Sequence, residues 1–237
     1  MNVLGIHFNL RSSVLLLSAP VLLSLYYYHG IPGDGQWFAG QATPASGDLV
    51  QRYIQFVLFA VLAGVIPWLC IRFIFKEPVT DFGIGWGEWK KWLPITLALI
   101  LLIVVPMMWF AVRLPDVKAE YPLARVLFEQ GHLFWQYEAM YIVFYYIAWE
   151  FFFRGFLLFG LSKEFGAAPA ILIQTISSCL IHVGKPEGET LGAVVVGILF
   201  GILALRTKSI WYGWLLHISI GVLTDYFVLY QAGIKIG

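Results

Sequence analysis

Long uncharged apolar runs recur along the chain, separated by short stretches that carry the charges, glycines and prolines. The runs are continuously apolar. Strict alternation would point to the strands of a membrane barrel, whereas about 20 consecutive apolar residues make a helix that crosses a bilayer. The pattern predicts an all-α, polytopic transmembrane bundle of about seven spans, within a range of six to eight. The runs cover residues 12–28, 53–75, 92–112, 139–161, 165–184, 190–205 and 210–230. The first follows Arg11 and ends in an aromatic belt, Tyr26-Tyr27-Tyr28. A cleaved signal peptide is the rival reading, but no small-x-small cleavage site follows, which favours an anchored span.

The connectors differ in kind. Residues 30–50 are rich in Gly, Pro and Ser and nearly uncharged, as a long outer loop would be. Residues 76–91 are short, charged and rich in Gly and Trp. Residues 113–131 carry Pro115, Pro122 and mixed charges, and 118–128 is expected as a short interfacial helix. The turns between the last four spans are very short, so those spans pack as antiparallel neighbours. In the sixth run Ala193, Gly197 and Gly201 form a small-residue stripe, the usual means of close helix approach in a membrane.

Composition removes the alternatives. Hydrophobic residues make up 60% and charged residues 12% of the 237, against about 45–50% and about 25% in soluble domains; the mean hydropathy is +0.79. A soluble domain, a disordered chain, a collagen, a coiled coil and a disulfide scaffold are all excluded. A net charge of +1 leaves no basic face for nucleic acid. Cys70 and Cys179 lie inside apolar runs and read as small core residues. The Lys and Arg distribution modestly favours a cytoplasmic N-terminus in the cell (inner) membrane.

A charge at a span centre costs about 2.5–3.5 kcal/mol on insertion scales, so it is paired or used. Such residues fall late in the chain: Glu138, Glu150, Arg154, His182, His217 and Asp225. Glu150 and Arg154, four apart, share one helix face. His182 closes an apolar run before Gly184-Lys185-Pro186, a helix stop. His217, Gly221 and Asp225 share a face to within about 80°. One glutamate and two histidines on three neighbouring helices can activate a water as general base, hold an oxyanion, or ligate a metal such as zinc. No His-Glu-x-x-His helix is present, and a metal-free site is preferred, with Glu150, His182 and His217 as the ligands if a metal is bound. Counting helical rise puts Glu150 and His182 level within roughly 6 Å and His217 shallower by about 8–14 Å.

Glu150-x-x-x-Arg154-Gly155-Phe156-Leu157, with His182 and then His217, resembles the CPBP family of intramembrane proteases, which includes the type II CAAX prenyl endopeptidases and bacteriocin-processing and self-immunity proteins. The resemblance covers about residues 139–230. It implies a helical membrane bundle that hydrolyses a peptide bond near the bilayer, Glu and His activating the water and a His in the last motif stabilising the oxyanion. It also implies three departures here: Trp149 where the family carries its first glutamate, Ser178 where it carries an aromatic, and Gly221 where it carries Asn or Asp. Asp225 is the expected substitute for the polar group missing at Gly221, and Glu187 or Glu189 for the carboxylate missing at Trp149. Residues 1–131 are then expected as N-terminal helices and loops and 132–237 as the catalytic core.

The expected function is an endopeptidase acting on a membrane-associated protein or peptide. Glu150 is its base or the base's orienting partner, His182 shares the water, His217 holds the oxyanion and Arg154 keeps Glu150 ionised. A catalytically degenerate relative acting as an immunity or scaffolding partner is the alternative. A small transporter would need repeat symmetry or broken paired helices, and neither is found.

Overall fold

A computed structural model describes residues 2–31 and 46–237. Most of the expected loop over 30–50 lies outside the described residues, and the chain is already helical from Ser46. After a two-residue hairpin, Asn2–Val3 with Ile6–His7, come the helices α1 (Leu10–Gly30), α2 (Asp48–Phe75), α3 (Trp89–Ala111), α4 (Pro115–Glu120), α5 (Gly131–Phe165), α6 (Ala167–Leu180), α7 (Glu187–Thr207) and α8 (Trp211–Gln231). Six of these are long and apolar enough to span a bilayer: α1, α2, α3, α5, α7 and α8. The chain is a multi-pass membrane protein with an all-α bundle, at the low end of the expected range of spans.

The run over 165–184 is the one that falls short. Its helix, α6, has 14 residues, about 21 Å at 1.5 Å per residue against a core of about 30 Å. Gly166 sets the start of α6; its end at Leu180 runs into tight turns, the His182 amide on the Cys179 carbonyl and the Val183 amide on the Leu180 carbonyl, before Gly184. Gly166 turns the chain at φ +82 and Gly184 at φ +99, conformations that a side chain disfavours. His182, just past the end of α6, is therefore carried inside the bundle.

Helix α5 is the axis of the bundle: 67% of its apolar window is buried, against 17–39% for the other five spans. Its Phe152, Phe153 and Phe156 meet Leu15 and Tyr26 of α1 and Phe59 of α2 in the larger apolar cluster. Helices α6 and α7 approach through the small-residue stripe: a Cβ at Gly197 would sit 2.9 Å from Thr175, and Gln174 Nε2 donates to the Gly197 carbonyl at 2.8 Å.

The segment over 118–128 is not one interfacial helix. Helix α4 stops at Glu120, because Pro122 lacks an N–H and biases the preceding residue away from helix. Leu123, Ala124, Val126 and Leu127 are then buried with Phe56, Phe134 and Leu229 in a second apolar cluster. Asp48 anchors them, accepting from the Val126 amide at 3.1 Å. Four apolar side chains gain more in that seam than at the bilayer surface.

Candidate active site

Two ladders of three residues, each spaced by four, face each other across the seam between α5 and α8. Helix α5 presents Tyr146, Glu150 and Arg154; helix α8 presents Gly213, His217 and Gly221. The rungs interlock. Glu150 Oε1 lies 2.8 Å from His217 Nδ1 and 3.4 Å from Arg154 Nη1. A Cβ at Gly213 would stand 3.0 Å from Glu150 Oε2, so the glycine makes room for the carboxylate. A Cβ at Gly221 would collide with the Tyr146 hydroxyl, so this glycine admits the tyrosine. The Tyr146 ring meets the His217 ring edge-on at 4.8 Å.

Glu150 is fully buried and Arg154 is 3% exposed. The guanidinium also lies over Phe200, 5.4 Å from its centroid. A buried charge pair of this kind stands only while both partners are present.

His182 approaches from the turn after α6. Its Nδ1 lies 2.6 Å from the Ser178 carbonyl, which assigns the ring proton to Nδ1 and leaves Nε2 as an acceptor. That Nε2 is 3.9 Å from Glu189 Oε1. Burial pulls the imidazole pKa down to about 4, partly offset by the Ser178 carbonyl. Tyr121 donates to Glu189, with both carboxylate oxygens at 2.8 Å. Burial, with Glu189 beside it, raises the phenol pKa well above its usual value. Lys185 pairs with Glu120 at 2.5 Å and covers the Tyr121 ring. The segment around α4 is thereby tied over this edge of the site.

Trp149 stands between the two histidines, its ring 5.2 Å from His182 and 5.7 Å from His217, nearly perpendicular to each. The indole thus fills the position where a second acid was expected from the resemblance. Of the expected substitutes, Glu189 is the carboxylate beside His182. Asp225 is buried and its carboxyl faces Glu138 of α5 instead.

The expected depth offset of His217 is overturned by its contact with Glu150. Counting rise took both helices to begin in one plane. In the structure the chain turns at Lys208 (φ +52), and Ile210 is buried with its amide on the Gly83 carbonyl at 2.9 Å. Helix α8 therefore starts inside the bundle. Among the described residues no three His, Cys, Asp or Glu side chains gather closely enough to hold a metal ion, and that covers the set Glu150, His182 and His217.

Gly213, Tyr121 and Phe200 contribute to the site without any chemical signal in the sequence. Tyr146 had one legible mark, its place four residues before Glu150. The family model described as type II CAAX prenyl endopeptidase Rce1-like matches residues 131–223, a segment that contains Glu150, Arg154, His182, Glu189 and His217. No curated protein and no solved structure matches the chain.

Proposed function

We propose, from the premise that this chain belongs through that segment to the type II CAAX prenyl endopeptidase Rce1-like family, that it hydrolyses a peptide bond of a membrane-associated protein or peptide. The observation that carries the reading is the buried Glu150–His217 contact at 2.8 Å. It fixes an imidazole on α8 at an acid on α5, inside the matched segment, where an idle charge would be costly.

The roles follow from the contacts. Glu150, held between Arg154 and His217, orients His217 as the partner that meets the developing oxyanion. His182 Nε2 and Glu189 Oε1 are two acceptors 3.9 Å apart, a spacing that one water bridges by donating to both. The water oxygen bonds to the scissile carbonyl carbon, the C=O π electrons move to oxygen, and the water proton passes to the His182–Glu189 pair. Collapse of the tetrahedral adduct breaks the C–N bond, and the same proton leaves with the amine. Glu189 thus takes the place vacated at Trp149. No metal is required by these steps. The chain sits in the cell membrane with its N-terminus in the cytoplasm, as its Lys and Arg distribution favours.

Trp149 favours a second reading, a non-catalytic relative that binds a membrane partner, because its indole packs against both imidazoles. One assay separates the two. The full chain in nanodiscs is incubated with a farnesylated peptide ending in Cys-aliphatic-aliphatic-X and, separately, with total membrane protein, and new termini are read by mass spectrometry. The protease reading expects new termini that vanish in Glu150→Gln and His182→Ala proteins. Their absence with the unmodified chain, or their persistence in both variants, would favour the binding reading.

A further inference from the structure

Hydrolysis of a peptide bond needs a donor aimed at the oxygen on which charge develops. Several donors of the site are already engaged. Arg154 and His217 Nδ1 face Glu150, and His182 Nδ1 faces the Ser178 carbonyl. An uncharged donor beside His217 is the hydroxyl of Tyr146, which accepts from the Tyr141 hydroxyl and keeps its own proton to give. The ring is buried, 4% exposed, and packs edge-on against His217. The hydroxyl reaches across the seam into the room left by Gly221, one turn beyond His217. Helix α8 carries no side chain at that place because α5 delivers one there.

Resting on the protease reading above, we propose that Tyr146 is a catalytic residue whose hydroxyl, housed by Gly221, donates a hydrogen bond to the oxyanion together with His217. Tyr146 keeps its proton throughout: it gives a hydrogen bond to the oxygen that receives the carbonyl π electrons, and gives it up when the C–N bond breaks. Burial suits this task, since a fixed dipole in a dry site stabilises more than one competing with water. The two positions form one unit, so a donor carried by residue 221 should replace one carried by residue 146, provided the tyrosine ring is gone.

The test uses the full chain in nanodiscs with the farnesylated peptide and total membrane protein as probes. In Tyr146→Phe the melting temperature and KM stay at the unmodified values, while kcat falls about 10²- to 10³-fold, the usual loss for one oxyanion donor. Tyr146→Leu falls at least as far. Tyr146→Leu combined with Gly221→Asn recovers at least tenfold over Tyr146→Leu alone, because the donor now comes from α8. Full turnover in Tyr146→Phe, with Glu150→Gln silent, overturns this assignment and leaves the protease reading standing. A double variant no better than Tyr146→Leu makes Tyr146 a packing residue and also overturns it. An unmodified chain that yields no product overturns the protease reading and this proposal together.

Discussion

Two ionic regions grip the same helix under different conditions. At the far end of α5, Lys163 and Glu164 join Arg11 of α1 and Glu77 and Asp81 of the connector between α2 and α3. Arg11 pairs with Glu77 and, at 3.1 Å, with Glu164; Lys163 reaches Glu77 at 2.6 Å and Asp81 at 3.7 Å. Ser12 adds a hydrogen bond to Glu164 at 3.0 Å. At the middle of α5, Glu150 has His217 and Arg154. The side chains of the first region are 18–50% exposed, whereas Glu150 and Arg154 are 0% and 3% exposed. Water and spare partners absorb the loss of any member of the first. The second has no such reserve, so each removal strands a charge. A bundle can be fastened by the first arrangement. The second is worth its desolvation only where the buried charge is used.

The sharpest way to break this contrast is Arg154→Ala. It leaves Glu150 buried without its cation, a loss of about 3–5 kcal/mol, and the protein should disappear from a membrane blot at normal transcript level. A wild-type level of folded Arg154→Ala protein would show that the two regions do not differ as described. Glu150→Gln is milder in structure and severe in chemistry. The amide keeps an oxygen facing the guanidinium but not its charge, so the folded level falls less than in Arg154→Ala, while turnover per folded molecule in the nanodisc assay falls by about 10² or more.

The His182 edge sharpens the contrast through pH. Its folded pKa, about 4, lies below the unfolded value of about 6.5. The neutral ring therefore contributes stability that is fully present above pH 6.5 and is lost as pH falls from there towards 4. A ¹⁵N-histidine titration in nanodiscs should find the His182 midpoint near 4; a midpoint near 6.5 would mean a solvated ring. The smallest effect belongs to the exposed region. Arg11→Ala should shift stability by no more than about 1 kcal/mol, shrinking further at high salt, and leave turnover unchanged. A loss as large as that of Arg154→Ala would merge the two regions.

The apolar runs by themselves determined that this is a helical membrane bundle, because a bilayer accepts only segments that satisfy their own backbone, and this requirement is written residue by residue. The run at 165–184 is shorter as a helix than as an apolar stretch, since the chain leaves the helix through tight turns after Leu180 while the residues there are still largely apolar. The contacts of Glu150 with Arg154 and His217 involve residues that stand out in the sequence, because intramembrane charges are few and a spacing of four shows in one dimension; His182 stands out in the same way, but Trp149 lies between its ring and that of His217. Tertiary structure alone decided the rest. It set His217 level with Glu150, put Trp149 between two imidazoles, brought Glu189 to His182, turned Asp225 towards Glu138, and opened room for Tyr146 at Gly221. These are properties of the seam between α5 and α8. A glycine reads as an absence in the sequence until the helix opposite shows what fills it, and the level at which two helices meet depends on where each one starts.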